Sequence, residues 1–274
     1  MIISDQHKFA FVHIPKCAGS SVKAANPSID NSFDRTFENH EFLGPVDLSH
    51  LPLWAFQKHL PDVFEKIIEF DSFAVTRDPL ERFGSSVTQR CRQYLNYNAA
   101  DITSDVLVHA AKEAISYLTQ DPNSLAPEFI HFTPQARYIR LDGETIVQHV
   151  DLPGQFTQLN TFLETQGLTP VSITNRQNAT VEPANKALKK ILRTVRPLYR
   201  AVLPQKLKDT LWLKLIDVGL YAPEADRYAP LIENAEITSF IHDFYAEDFE
   251  IFQQARSNDA QRQTHPHSRP SINS

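Results

Sequence analysis

The chain has 274 residues, a hydrophobic fraction of 42%, a charged fraction of 22% and a formal net charge of −6. These values are ordinary for a globular protein, they exclude a low-complexity chain, and the length allows one large domain or two small ones. Two cysteines are too few for a disulfide framework or a cysteine-rich zinc site. No signal-peptide pattern and no membrane-spanning apolar run is present, so the sequence predicts a cytoplasmic protein.

The first predicted strand is the apolar run 9–14, which ends at a proline and precedes a short helix over 20–26. Lys16 and a series of small residues separate the two. Small side chains let the backbone approach a ligand, and N–H groups at a helix N-terminus favour an anion. This segment predicts a phosphate- or sulfate-binding turn, the alternative being a plain turn with a solvated lysine. Cys17 is interpreted as a small space-filling residue, with a thiolate activated by Lys16 as the alternative.

A second predicted strand, 72–76, ends at Arg77 and follows a helical region over 54–70 that Pro61 interrupts. Asp78 and the proline after it predict a capped helix that runs to about residue 97. At the strand end, Arg77 can offer a forked pair of donors to a phosphate. Ser85, two helical turns later, can donate a hydroxyl to the same group. This segment therefore predicts a second anion-binding site.

The rest of the chain alternates helices and strands, which indicates an α/β fold with a mainly parallel sheet. The predicted helices cover 104–118, 157–166 and 237–253, and the predicted strands cover 136–141 and 145–150 around an Asp-Gly turn. Both anion-binding turns follow strand ends, where open α/β sheets bind ligands.

Positive charge is concentrated between residues 186 and 214, where nine Lys or Arg side chains accompany one acidic residue. The segment carries a net charge of +8 against −14 for the remainder. Its apolar residues recur at helical spacing, which favours a packed helix with a solvated basic face. The alternatives are contact of that face with an anionic glycan, a membrane surface or a partner helix.

Four motifs resemble those of sulfotransferases that use PAPS (3′-phosphoadenosine 5′-phosphosulfate). The stretch 14–21, Ile-Pro-Lys-Cys-Ala-Gly-Ser-Ser, resembles their 5′-phosphosulfate loop, with cysteine where threonine is usual. The stretch 77–85 resembles their 3′-phosphate motif, RDPxxRxxS. The segments 131–135 and 241–252 are similar to their His-x-x-Pro-Gln and Tyr-x-x-Asp-Phe-x-x-Phe elements. The chain is thus similar to the carbohydrate- and heparan-type enzymes called sulfotransferase family 2.

The resemblance implies a central parallel sheet like that of P-loop NTPases, flanked by helices, with a helical C-terminal region. It implies a single domain over 1–255, with residues 186–222 as a basic helical addition. The tail 256–274 is polar with almost nothing to bury, so its composition predicts disorder. The implied reaction transfers a sulfuryl group from PAPS to a hydroxyl or amine of a carbohydrate-like or small acceptor and releases PAP. No metal and no nucleic acid is implied. The implied donor-binding residues are Lys16, Cys17, Ala18, Gly19, Ser20, Ser21, Arg77 and Ser85.

The catalytic residues that the resemblance implies are Lys16, at the leaving oxygen, and His50, as the base that takes the acceptor proton. His50 follows a serine where the related enzymes have a glycine-histidine pair. His40 and Glu41 are the alternative bases. Two other functions stay open: a non-catalytic nucleotide- or polyanion-binding protein of the same fold, and a nucleotide kinase of related fold. The kinase is disfavoured because Lys16 precedes the glycine, in contrast to the Walker A order.

Overall fold

The central strand of the computed structural model is β2, Phe9–Val12, in which all four residues are buried. Burial on both faces is typical of a strand within a parallel sheet. β2 pairs in parallel with β5, Asp71–Val75, and β5 pairs in parallel with β8, His149–Asp151. β1, Ile2–Ser4, adds an antiparallel edge and gives the order β1-β2-β5-β8. In this register Val12 lies opposite Ala74, so the predicted strand ends meet at one edge.

Helices flank this sheet, and the fold is mixed α/β with a central sheet that contains parallel strands. The structure describes residues 1–27, 29, 38–41, 43–99, 101–172, 182–183, 221–222 and 228–264. The α-helices are α1 Gly19–Ala25, α2 Leu53–His59, α3 Pro61–Glu69, α4 Pro79–Gln93, α5 Ser104–Gln120, α6 Ala136–Ile139, α7 Thr157–Thr165, α8 Ala229–Ile232, α9 Ala235–Phe244 and α10 Ala246–Thr264. Short 3₁₀ turns are formed by Leu48–His50 and Ile130–Phe132.

Three short hairpins complete the secondary structure of the described residues. They pair β3 Glu38–His40 with β4 Gly44–Val46, β6 Arg140–Leu141 with β7 Glu144–Thr145, and β9 Glu182–Pro183 with β10 Tyr221–Ala222.

The predicted strand over 136–141 is wrong for its first four residues, which form α6. The Asp248 carboxylate accepts the backbone N–H groups of Gln135 and Ala136, both at 2.8 Å, and so caps this helix from a distant part of the chain. Tyr138 is fully buried within it and donates its hydroxyl to the carbonyl oxygen of His50 at 2.9 Å. These tertiary contacts outweigh the local preference of tyrosine and isoleucine for strands. The turn at Asp142 and Gly143 is confirmed as the loop of the β6–β7 hairpin.

The predicted final helix is two helices rather than one. Tyr245 ends α9, and its hydroxyl donates to the carbonyl oxygen of Phe132 at 2.7 Å. α10 then continues to Thr264, so residues 256–264 are helical where a disordered tail was expected. Asp259 contributes to this order because it accepts a hydrogen bond from the Thr157 hydroxyl at 3.0 Å. The remaining tail residues, 265–274, lie outside the described residues.

The chain divides into two compact units, residues 1–177 with 230–274, and residues 178–229. The second unit contains the segment 186–222, which was interpreted as a basic helical addition. Apart from β10, that segment lies outside the described residues. In the described part of the chain, every helix is too short or too polar to cross a lipid bilayer.

Candidate active site

The loop after β2 has an unusual backbone. Lys16 and Ala18 adopt left-handed conformations, with φ of 67° and 63°. Such values cost of order 1 kcal/mol or more for residues with a Cβ and are concentrated at functional sites. Within the loop, the N–H of Cys17 donates to the carbonyl oxygen of Ile14 at 3.3 Å. Ala18 precedes α1 and provides no side-chain cap, and its carbonyl oxygen accepts the Ser21 N–H at 2.9 Å.

Gly19 allows a histidine to lie against the same loop. A Cβ built on Gly19 would come within 2.0 Å of the Cδ2 atom of His13, which is far closer than any real contact. His13 follows β2 directly, and its ring covers the first turn of α1. The glycine is therefore required by close approach of the imidazole ring.

The second loop begins at Arg77, and Asp78 fixes the helix that follows it. The Asp78 carboxylate accepts the N–H groups of Leu80 and Glu81 at 2.9 and 3.2 Å, as predicted for an N-cap. The Arg77 side chain is 16% exposed, and its Nε donates to Glu81 at 3.2 Å. Ser85 is buried on α4, two turns further on.

Gln135 joins the two loops. Its Oε1 accepts from the Cys17 thiol at 3.2 Å, from the Thr76 hydroxyl at 3.0 Å and from the Arg77 N–H at 2.8 Å. Its Nε2 donates to the Arg77 carbonyl oxygen at 2.8 Å. A single buried amide thus holds both backbone groups of Arg77 and reaches the loop after β2. Burial raises the pKa of the Cys17 thiol to about 12, so Cys17 is an inert space-filling residue and not an activated nucleophile.

A buried ion pair supports Gln135 from behind. Asp248, fully buried on α10, accepts the Gln135 N–H and lies 3.6 Å from the Arg82 guanidinium. Arg82 is 1% exposed, donates to the His131 carbonyl oxygen at 3.0 Å and stacks over the ring of Tyr245. Arg82 therefore has a structural role, with Asp248 as its ion-pair partner.

His50 lies in a cluster of three imidazoles. Its ring centroid is 4.4 Å from that of His13 and 5.3 Å from that of His131. His50 Nδ1 is 3.3 Å from the His13 carbonyl oxygen, which can only accept, so this nitrogen carries the proton. The lone pair of His50 is therefore on Nε2, which lies 3.9 Å from Asp47 Oδ2.

Burial keeps these imidazoles neutral. It lowers the pKa of His50 and of His131 to about 3, and it lowers the pKa of His13 well below the usual value. The pKa of His50 in the free protein therefore lies well below the ordinary imidazole value. A neutral His50 has its Nε2 lone pair available to accept a proton.

The structure connects the predicted site residues through side chains that sequence reasoning missed. Gln135 links Cys17 to Arg77, and His13 links Gly19 to His50. Gln135 stands inside the recognised 131–135 motif, and that position was the available signal for it, whereas His13 directly precedes the 14–21 motif. Asp47 gave no signal, because its own hydrogen bonds are local to Ser49 and its spacing from His50 does not show that His131 joins them.

The alternative bases occupy a different environment. The ring of His40, at the end of β3, packs edge-on against His59 with centroids 6.0 Å apart. Glu41 is exposed. By contrast, His50 is buried and contacts the segment that leads into the loop after β2.

The loops at the ends of the adjacent parallel strands β2 and β5 carry Lys16 and Arg77, and a buried histidine, His50, contacts the segment that leads into the first of them. A family model described as "Sulfotransferase family" matches residues 1–254, and the chain belongs to this family. Membership makes the chain a transferase and supports sulfuryl transfer as its general activity. No curated protein and no solved structure matches the chain.

Proposed function

We propose that this protein transfers a sulfuryl group from PAPS to a hydroxyl group of a carbohydrate-like acceptor and releases PAP. The observation that carries the proposal is the Gln135 amide, which ties the loop after β2 to Arg77 within a chain of the sulfotransferase family. Two anionic groups of one nucleotide need two such loops at a fixed separation. A shared buried anchor supplies that fixed separation.

The loop after β2 binds the 5′-phosphosulfate in this proposal. Lys16 supplies positive charge, and the left-handed residues on either side of Cys17 shape the turn for close approach of the donor. The hydroxyls of Ser20 and Ser21 complete the binding set with the backbone of Ala18 and Gly19. Cys17 contributes through its backbone, since its thiol is directed to Gln135.

Arg77 and Ser85 bind the 3′-phosphate in this proposal. Gln135 fixes the Arg77 backbone at both its N–H and its carbonyl group, which orients the side chain. The salt bridge to Glu81 holds the guanidinium at Nε, and the planar fork of this side chain is the proposed phosphate-binding element. A charge-assisted contact of this kind discriminates PAP from adenosine 5′-phosphate.

His50 is the proposed general base. Its Nε2 accepts the proton of the acceptor hydroxyl, the hydroxyl oxygen forms a bond to sulfur, and the bond from sulfur to the phosphate oxygen breaks. The electron pair of the breaking bond goes to that phosphate oxygen, where Lys16 stabilises the developing charge. An anionic donor beside His50 favours the protonated imidazole and so raises its pKa during the reaction.

Residues 186–214 are proposed to contact an anionic acceptor or a membrane surface through their basic face. Their net charge of +8 supports this assignment. We also propose a cytoplasmic location for the protein and no nucleic-acid partner.

Transfer of radiolabelled sulfate from PAPS onto a library of hydroxylated acceptors tests the proposed function. We expect label in at least one acceptor class with the wild-type protein, and a large loss of both transfer and PAPS binding with Lys16→Ala. Binding of PAP without transfer to any acceptor would favour the non-catalytic alternative. Transfer of phosphate from ATP would favour the kinase.

A further inference from the structure

Asp47, His50 and His131 bring three potential metal ligands together. One ligand atom from each lies within 4.8 Å of the other two, and Asp47 and His50 are buried. His50 ends one 3₁₀ turn, which Asp47 caps, while His131 comes from the other turn, more than 80 residues later. The cluster therefore exists only in the folded chain.

The orientation of His50 is that of a metal ligand. A histidine bound to a metal through one nitrogen typically donates the other N–H to a carbonyl or carboxylate. His50 does so through Nδ1, which faces the His13 carbonyl oxygen at 3.3 Å. Its Nε2 lone pair lies 3.9 Å from Asp47 Oδ2.

Hydrogen bonds also fix the orientation of the Asp47 carboxylate. Its Oδ1 accepts the N–H of Ser49 at 3.0 Å and the Ser49 hydroxyl at 2.5 Å. Oδ2 is the oxygen that lies near His50. Ligand atoms about 2.1 Å from a tetrahedral ion lie about 3.4 Å apart, so a movement of about half an ångström brings Oδ2 and Nε2 to that separation.

We propose that Asp47, His50 and His131 bind a divalent transition-metal ion, with Zn²⁺ as the fitting ion. Two imidazole nitrogens and one carboxylate oxygen suit Zn²⁺, whereas Mg²⁺ and Ca²⁺ prefer sets made of oxygen alone. Three protein ligands leave the fourth tetrahedral position open.

Some charges around the cluster favour binding of a cation and others oppose it. Metal binding uses a neutral imidazole, and His50 is buried with its Nδ1 proton facing the His13 carbonyl oxygen. Lys16 and Arg82 carry positive charge near His131 and oppose a cation. The Asp47 carboxylate offsets them.

Metal binding and base catalysis exclude one another at His50. A lone pair that coordinates Zn²⁺ cannot accept a proton, so the ion acts as a reversible inhibitor of sulfuryl transfer. This consequence rests on the proposed function. Binding of the ion does not, because it needs neither PAPS nor an acceptor.

Titration of the chelator-treated full-length protein with Zn²⁺ by calorimetry, and with Co²⁺ by visible absorption, tests the site. We expect one equivalent to bind and Co²⁺ to give the intense absorption of four-coordinate geometry. Asp47→Asn and His131→Gln should each weaken Zn²⁺ binding by more than the about 10- to 100-fold typical of losing an outer-shell contact. Asp47→Asn keeps an oxygen for the contacts with Ser49.

His109→Ala is the matched control, since His109 is exposed and lies 3.4 Å from Glu113 in a surface pair. It should bind Zn²⁺ as the wild type does. No stoichiometric binding to wild type, or equal losses in the control and the ligand variants, would overturn the site. The inhibitory role is tested by adding Zn²⁺ to the transfer assay and reversing it with chelator. Zinc that binds stoichiometrically without slowing transfer would overturn that role alone, and absence of transfer in every condition would count against the proposed function alone.

Discussion

The two halves of the candidate site differ in how the chain builds them. The donor half consists of the loops after β2 and β5, each a continuous stretch in which a strand end, a turn and a helix start follow one another. The histidine half consists of side chains from residues 13, 47, 50 and 131, which converge only after folding. The donor half is therefore specified by local sequence motifs, whereas the histidine half is specified by tertiary contacts.

The two halves also differ in the contacts that hold them in place. The donor half depends on Gln135 and on the buried Arg82–Asp248 pair behind it. The histidine half depends on main-chain acceptors, such as the His13 carbonyl oxygen, and on burial. Substitutions in the two halves should consequently affect different measurements.

Removing the Asp248 carboxylate, which supports the donor half, should have the largest effect, and that effect should be on the free energy of unfolding. Asp248→Ala leaves the Arg82 guanidinium buried without its carboxylate and removes the acceptor for two N–H groups. We expect the free energy of unfolding in urea to fall by about 3–5 kcal/mol. Asp243→Ala, at an exposed site on α9, is the control and should change it by less than about 0.5 kcal/mol. A similar small change in both variants would show that the buried Arg82–Asp248 pair does not contribute to the free energy of unfolding.

Removing the proposed base should lower turnover without weakening PAP binding, which would distinguish the histidine half from the donor half. His50→Ala should lower kcat by on the order of 100-fold or more, the usual effect of a positioned base, and leave the affinity for PAP near that of wild type. Steady-state kinetics and calorimetry measure the two quantities. His109→Ala should change neither. Full turnover in His50→Ala would move the base to another residue, with His40 and Glu41 next in order, whereas joint loss of turnover and PAP binding would indicate a structural histidine.

Arg77→Ala should affect the donor half alone. Loss of one charged hydrogen-bonding partner should weaken PAP binding by about 1.5–3 kcal/mol, which is roughly a 10- to 150-fold rise in Kd. Arg92→Ala, an exposed position on the same helix as Ser85, provides the matched control. Unchanged PAP affinity in Arg77→Ala would show that the 3′-phosphate binds elsewhere.

Cys17 should give the smallest effect, although it lies in the middle of the donor loop. Burial raises its pKa to about 12, so the thiol is protonated at pH 8. Because the folded pKa lies above the unfolded one, this group favours the fold below about pH 9, and that contribution is lost as the pH rises further. In a Cys91→Ser background, iodoacetamide should label the native protein on the order of 100-fold more slowly than the urea-unfolded protein. Comparable rates would mean that the thiol is accessible and ionised.

Local signals in the sequence predicted most of the elements around the donor half. Pro61 interrupts a helix because it lacks a backbone N–H, Asp78 caps a helix with its carboxylate, and the structure has a boundary at each. Ala136–Ile139 was wrongly predicted as strand because its capping carboxylate, Asp248, comes from more than 100 residues away. The break at Tyr245 was missed for a similar reason, since the tyrosine is anchored to Phe132.

The candidate site follows the same division. The resemblance to sulfotransferases supplied Lys16, Arg77 and Ser85 because they stand in contiguous motifs. It supplied His50 but not its partners. Although His131 stands in a recognised motif, it approaches Asp47 and His50 only when the two 3₁₀ turns pack together, and neither spacing nor composition predicts that contact.

Calorimetric titration of the wild-type protein with PAP and with adenosine 5′-phosphate tests the central claim most directly, because it requires no knowledge of the acceptor. The account predicts that PAP binds at least about 10-fold more tightly, as a charged contact through Arg77 and Ser85 to the 3′-phosphate requires. Equal affinity for the two nucleotides, or binding of neither, would contradict the assignment of the two loops to PAPS.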